Sequence, residues 1–305
     1  MKNKWYENIS KQIRKEKTKL TIEQVKQVEE VYKKAFDSIA KQLEKGGYKE
    51  LDGIFLQSYK NELKKELKSL KQELTKLTEN ATHEGAKLGT KLNQELTKEM
   101  LLAAGILDDK DFKNNFNKIQ DSVVRDIIKG NLYKDHKTLD ERIWKLVNKN
   151  GQQIQDVIAQ GMAEQKSAIK LAEDLEEFLK PAAQRSVDWG EIYADVSKNV
   201  MYNAQTLART VINHSYQNAT IQSTQDNPFI EGIRWESAMQ HGRTCEECMD
   251  RDGVVYPKDE VPLDHPNGMC TMIPEIPKSL AEIGSEIGRW VNGEENEQLD
   301  EWYDK

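Results

Sequence analysis

The residues able to do chemistry are concentrated between Arg243 and Cys270. There RTCEECMDRDGVVYPKDEVPLDHPNGMC gathers all three cysteines of the chain, one of its five histidines and three of its seven prolines. In ligand terms the pattern is Cys245-x2-Cys248-x16-His265-x4-Cys270. Three thiolates and one imidazole are the donor set of a closed tetrahedral zinc site. Two cysteines separated by two residues let one tight turn present both sulfurs to one ion. His265 and Cys270 supply a second pair around Pro266, Asn267 and Gly268. Zinc with all four positions filled has no place for water or substrate, so its role is structural. Such a site contributes much of the folding free energy of a lobe too small to stabilise itself. The expected ligands are therefore Cys245, Cys248, His265 and Cys270, with zinc as a structural cofactor and no catalytic residue. The bland alternative is three reduced cysteines packed in a small core.

Enzyme readings find less support. A redox Cys-x-x-Cys belongs at a strand-to-helix junction of a βαβ unit, and no alternating α/β pattern surrounds this one. A zinc deaminase wants His-x-Glu followed by Pro-Cys-x-x-Cys, whereas here the cysteines precede the histidine. Walker A, Gly-x-Gly-x-x-Gly and HExxH motifs are absent from the sequence. A nucleophilic dyad of Cys245 with His241 or His265 is specified by composition alone. The alternative function is a metal-dependent nuclease that uses His241, Asp250, Asp252 and Asp264 around a second metal, without a recognised acid–base geometry. A generic zinc-stabilised adaptor is a third reading. Of the other histidines, His83 and His136 are isolated, and His214 reads as a satisfied, partly buried side chain. Arg209 and Asn213, one turn apart, either anchor their helix to the metal lobe or form a simple exposed pair.

The elements that must position this stretch read as helices. Charged residues make up 32% of the chain and apolar ones 37%, a mixture that suits long helices with narrow apolar stripes rather than one thick core. The first 180 residues contain no proline, which permits helix. Val25, Val28, Tyr32, Phe36, Ile39 and Leu43 recur at helical spacing, with Thr21 as the expected N-cap and Gly46-Gly47 as the stop. Leu56, Tyr59, Leu63, Leu67, Leu70, Leu74 and Leu77 form a heptad-like seam, read as one half of an intramolecular hairpin in preference to an oligomerising coiled coil. Residues 83–108 read as a separate helix breaking near Gly105. Further helices are expected after Asp109, from Asp140, from Ser167 to before Pro181, and over 190–222. Beyond Pro228 the pattern changes: Ile233-Arg234-Trp235 and Val254-Val255-Tyr256 read as short strands, the second reached through the Asp252-Gly253 turn. A last helix from Ser279 to Val291 and a frayed acidic end follow. The expected fold class is mainly α, an elongated helical N-terminal region with a small α+β, zinc-clamped C-terminal lobe. Its divisions are a basic helical arm (1–82, a helical hairpin), a helical region (83–189), the Cys/His domain (190–275) and an acidic tail (276–305).

Charge is distributed unevenly. Residues 1–82 hold 19 Lys/Arg against 13 Asp/Glu, while residues 275–305 hold 3 against 9. A basic arm could contact phosphates by counterion release, although a solvated helix surface gives the same surplus. No apolar run approaches the roughly 20 residues of a membrane span, and the first residues lack the apolar core of a signal peptide. A cytoplasmic protein without a membrane partner is expected, and three clustered cysteines suit a metal site in a reducing compartment.

The order of motifs carries a resemblance. A long helix bears Ala208-Arg209-Thr210, and Gly232-Ile233-Arg234-Trp235 follows it. Then come Arg-Thr-Cys245-Glu-Glu-Cys248, Asp252-Gly253 and His265-Pro-Asn-Gly-Met-Cys270. This resembles the C-terminal domain of phage head morphogenesis proteins, the minor head (minor capsid) proteins related to the F protein of phage Mu. The typical ending in that family is His-Pro-x-Cys-Arg-Cys, so Gly268 and Met269 stand where Cys and Arg are usual. The site is intact if the last cysteine is the family's fourth ligand, and crippled if it is the earlier one. The likeness covers roughly residues 200–275, and the segments around Asp140-Glu-Arg-Ile-Trp144 and Gly161–Leu175 are similar to the family's helical N-terminal region. The resemblance implies a low-copy virion component at the capsid interior or portal vertex, present in the host cytoplasm during assembly. It would act in head morphogenesis by binding rather than catalysis. Its implied partners are the portal protein, scaffold or major capsid protein, and double-stranded DNA through the basic arm during packaging or ejection.

Overall fold

The structure is a computed structural model that describes residues 5–45, 53–107, 110–163, 169–170, 200–238 and 244–304. Its elements in chain order begin with α1 (Tyr6–Glu44), α2 (Gly53–Ala103), α3 (Lys110–Lys129), α4 (Leu139–Ala163) and α5 (Val200–Thr224). Then come β1 (Gly232–Glu236), α6 (Glu246–Arg251), β2 (Val255–Tyr256), β3 (Thr271–Glu275), α7 (Leu280–Val291) and α8 (Glu297–Tyr303). The fold is mainly α, with a small three-stranded antiparallel sheet in the C-terminal region. Two compact units divide it: Met1–Ile22, Ala81–Ile127 and Arg209–Lys305 in the first, Glu23–Asn80 and Ile128–Ala208 in the second. Both α1 and α2 give one stretch to each unit.

Two helix boundaries expected from the sequence are not found. Thr21 is no N-cap: it lies inside α1, buried, with its hydroxyl donating to the Lys17 carbonyl at 2.9 Å. The buried stripe runs back through Gln24, Thr21, Lys17, Ile13, Ser10 and Tyr6 at steps of three and four. Four of those six are polar, so a search for apolar periodicity loses the helix there. Likewise the seam over 56–77 and the helix over 83–108 are one helix, α2. Its buried line passes through Thr78, Ala81, Thr82, Ala86 and Thr90, small or polar residues that keep the helical step without an apolar signal. The expected stop at Gly46-Gly47, the Asp109 cap, the helix from Ser167 to before Pro181 apart from the helical Ile169 and Lys170, and residues 190–199 lie outside the described residues.

In the second unit the later half of α1 runs antiparallel to the first part of α2: Ser38 Oγ donates to Glu66 at 2.8 Å, and Lys34 pairs with Glu73 at 3.3 Å. Tyr32, Phe36, Ile39 and Leu43 are buried here, as are Tyr59, Leu63, Leu70 and Leu74. From α4, Leu139, Ile143, Val147 and Ile154 are buried too, and Asn150 donates to the Tyr32 hydroxyl at 2.9 Å. A Thr138–Glu141 capping box opens α4 one residue ahead of Asp140: Thr138 N donates to Glu141 at 2.8 Å and Glu141 N to Thr138 at 3.2 Å.

In the first unit α2 crosses α5 at unusually close range. A Cβ on Gly85 would lie 2.1 Å from Ser215 Oγ, and one on Gly89 would lie 2.3 Å from the Tyr216 carbonyl oxygen. Glycine at those two positions lets the backbones meet, and Leu92, Leu96 and Met100 carry the same face of α2 into the main apolar core. The sheet has the order β2-β1-β3, with Ile233 opposite Tyr256 and Trp235 opposite Met272. β1 and β2 fall where alternation places strands. β3 was not expected, because Pro274 argues against a strand, but β3 is an edge and tolerates the missing N–H. The acidic end is not frayed. Ser279 and Glu282 close a capping box at α7, while α8 buries Leu299 and Trp302, the latter ring 4.8 Å from Phe112 and 5.7 Å from Phe229.

Candidate metal centre

The short helix α6 positions the first two donors. Cys245 occupies its N-cap and Cys248 its first turn, with Met249 N donating to the Cys245 carbonyl at 3.0 Å. The start of that turn is fixed to the sheet. Ser237, just after β1, donates from its hydroxyl to the Cys248 carbonyl and from its N–H to Asp252 Oδ1 at 2.8 Å. Gly253, at φ 77°, returns the chain to β1 through its N–H to the Trp235 carbonyl at 2.9 Å. Only a residue at ease in the left-handed region makes that return without strain.

The loop 264–270 brings the rest. Cys245, Cys248 and His265 offer donor atoms all within 4.8 Å of one another, and so do Cys248, Asp264 and Cys270. The other three expected ligands thus gather around Cys248 in two overlapping triads, Cys245 and His265 in one and Cys270 with Asp264 in the other, and the four do not form a single group. Cys245 Sγ lies 3.3 Å from His265 Nε2, while His265 Nδ1 lies 2.9 Å from the Pro266 carbonyl. A carbonyl only accepts, so Nδ1 carries the ring proton and Nε2 keeps the lone pair that a metal needs. Burial pushes the Cys248 and Cys270 thiols up, with hydrogen bonding to the neighbouring thiols as the next cause for Cys248 and the Asp264 charge for Cys270. Three thiols and one imidazole whose Nε2 faces the Cys245 sulfur suit a soft divalent ion.

Asp264 also organises the loop. Its side chain is fully buried. Oδ1 accepts from His265 N at 2.9 Å and from Cys248 Sγ at 3.7 Å. Oδ2 accepts from Asn213 Nδ2 at 2.9 Å and Cys270 N at 3.0 Å. Those four contacts use the acceptor capacity of a carboxylate. The same oxygen explains Gly268: a Cβ there would lie 2.1 Å from Asp264 Oδ2. A larger side chain at this position would stand where the carboxylate already fills the space.

Helix α5 supplies a polar stripe beneath the loop. Arg209 donates to Asn267 Oδ1 at 3.2 Å, Thr210 Oγ1 accepts from Asn267 N at 2.9 Å, and His214 Nε2 contacts the Asp264 carbonyl at 2.9 Å. Gln217 accepts from Asp264 N at 3.0 Å and donates to the Cys270 carbonyl at 3.3 Å. Arg209 and Asn213 therefore anchor their helix to the Cys/His lobe, as one of the two sequence readings has it, and His214 is a buried side chain held to the same loop through Nε2.

Sequence reasoning missed Lys17. Its ammonium, 1% exposed, donates to Asn213 Oδ1 at 2.7 Å and to the Cys270 carbonyl at 2.8 Å. It also lies 4.9 Å from the centre of the Tyr216 ring. Burial lowers its pKa to about 8, against the opposing pull of the Asp264 charge. Asn213 thus bridges a buried cation and a buried anion. Arg14, another arm cation, pairs with Glu236 at 3.0 Å. Of the residues in the nuclease reading, Asp264 belongs to one donor group, Asp250 and Asp252 belong to neither among the described residues, and His241 lies outside the described residues.

The fold and the site together define a mainly helical protein with a Cys/His/Asp cluster that could hold a metal ion. Compared with models of protein families, with curated proteins and with solved structures, the chain matched none.

Proposed function

We propose that the chain is a minor head protein of a tailed phage or prophage, a low-copy binding component at the portal vertex whose C-terminal lobe is clamped by a structural zinc. One observation carries this reading. The motifs that bear the resemblance are spread over sixty residues of sequence, yet they meet in one knot. Arg209 and Thr210 hold Asn267, the Cys-x2-Cys helix shares Cys248 with both donor groups, and the Asp252-Gly253 turn ties that helix to β1. In this reading Cys245, Cys248, His265 and Cys270 bind zinc and Asp264 holds the loop from outside the coordination sphere. The bound ion would supply rigidity, and the lobe would dock on the portal, with scaffold or major capsid protein as further contacts.

Two measurements test it separately. Elemental analysis of the purified chain should give zinc near one per chain, lost in Cys245→Ser; a metal-free chain of unchanged stability removes the clamp. Co-expression with the portal protein encoded nearest to it should give a complex that survives size exclusion, and mass spectrometry should find the chain in purified particles. Its absence from both rejects the head-protein assignment.

A further inference from the structure

A groove of about 790 Å³ in the second unit lies between α2 and α4. One wall is Lys64, Lys68 and Lys71, at helical spacing on one face of α2. The other is Trp144, Asn148 and Gln152, which share a face of α4. Among the described residues no carboxylate lines it. Asp140 outside the groove takes Lys71 at 2.8 Å and so holds its ammonium 5.4 Å from the Trp144 ring centre. Trp144 is nevertheless 49% exposed, a large indole kept at the mouth of a basic groove rather than in the core. Its helix neighbours Ile143 and Val147 take the buried places instead.

We infer that this groove binds single-stranded nucleic acid, with Lys64 and Lys68 on successive phosphates, Trp144 under one base and Asn148 and Gln152 at its polar edge. Lys64 and Lys68 are one turn apart, ~6 Å along the helix axis, so both reach one stretch of backbone. An indole offers its face to any unstacked base, which is how sequence-tolerant single-strand sites obtain affinity. A duplex does not fit the same role. Its base faces are stacked away, and a cleft between two packed helices, whose axes lie about 8–10 Å apart, is too narrow for it. The amides suit a base edge, since each carries both a donor and an acceptor. The site is distinct from the Cys/His lobe, and its test does not depend on the metal or on the portal.

Fluorescence anisotropy of the full chain with labelled oligothymidine, oligouridine and a duplex of equal length tests the groove. Either single strand should bind more tightly than the duplex, and the tighter of the two identifies the natural polymer as DNA or RNA. Lys64→Gln/Lys68→Gln should lower the slope of log affinity against log salt by about 1.4, since each phosphate of a single strand that is no longer neutralised removes ~0.7. Trp144→Leu should weaken binding about tenfold with little change in that slope. Lys33→Gln/Lys41→Gln, which removes exposed cations elsewhere in the same unit, should leave affinity within about twofold. No binding, tighter duplex binding, or equal losses in the groove and control variants would each overturn the assignment.

Discussion

Asp264, Asn213 and Lys17 set the terms at the smallest scale, because a buried cation and a buried anion share one amide. The amide's orientation follows from its neighbours: its oxygen accepts from Lys17 at 2.7 Å and its nitrogen donates to Asp264 at 2.9 Å. Removing one charge leaves the other buried and uncompensated, a loss of about 3–5 kcal/mol. Lys17→Met, close in volume, should therefore cost that much in urea unfolding, whereas Lys19→Met, at an exposed position two residues on, should cost less than about 0.5 kcal/mol. Equal effects would show that Lys17 contributes packing alone. Gly268 gives the second test. Since a Cβ would lie 2.1 Å from Asp264 Oδ2, Gly268→Ala must push the carboxylate off the N–H groups of His265 and Cys270. A loss of about 1–3 kcal/mol is expected. Gly268→Cys, which restores the residue usual in the resembling family, should be worse rather than better, and a stability gain would refute the role given to Asp264.

Among the elements, α8 shows what the acidic end does. Leu299 and Trp302 are buried at i and i+3, and the acidic residues around them, Glu297, Asp300 and Glu301, are exposed. Trp302 packs on Phe112 and Phe229 from α3 and the approach to β1. Trp302→Ala should cost about 3–5 kcal/mol in thermal or urea unfolding; a change under about 1 kcal/mol would mean the helix is not part of the core. Two apolar residues in a short acidic segment give too little periodicity to be read as a helix, which is why the sequence suggests fraying. The same limit explains the misplaced start of α1 and the division of α2 into two helices, since their buried lines pass through Lys17, Thr21, Thr78 and Thr82. Where apolar spacing is strong, as at Tyr59, Leu63, Leu70 and Leu74, helix and burial were both legible. The donors Cys245, Cys248, His265 and Cys270 were legible because residue type and spacing alone mark them. Lys17 was not, and Asp264 stood out only as one of several carboxylates in the nuclease reading: the contacts they make arise only when α1, α5 and the 264–270 loop converge.

At the scale of the whole chain, the packing partners change inside continuous helices, not at loops. One compact unit takes α2 from Ala81 onward and the other takes it up to Asn80, and α1 changes unit after Ile22. A helix interior has no hinge signal, so a metal that clamps the first unit should stabilise only part of each helix. Structural zinc contributes an apparent ~10 kcal/mol or more in small domains, enough to dominate local opening energies. If the proposed zinc is bound, its removal by a chelator, or Cys245→Ser, should raise amide exchange at least tenfold over Leu92–Met100, β1 and β3. The same treatment should leave Leu63–Leu74 and Ile143–Ile154 within about twofold. The protection boundary would then fall within α2, between Leu74 and Leu92, with no break in its backbone. Uniform loss across both units would make the chain one cooperative block, and no loss anywhere would remove the metal from the account of its stability.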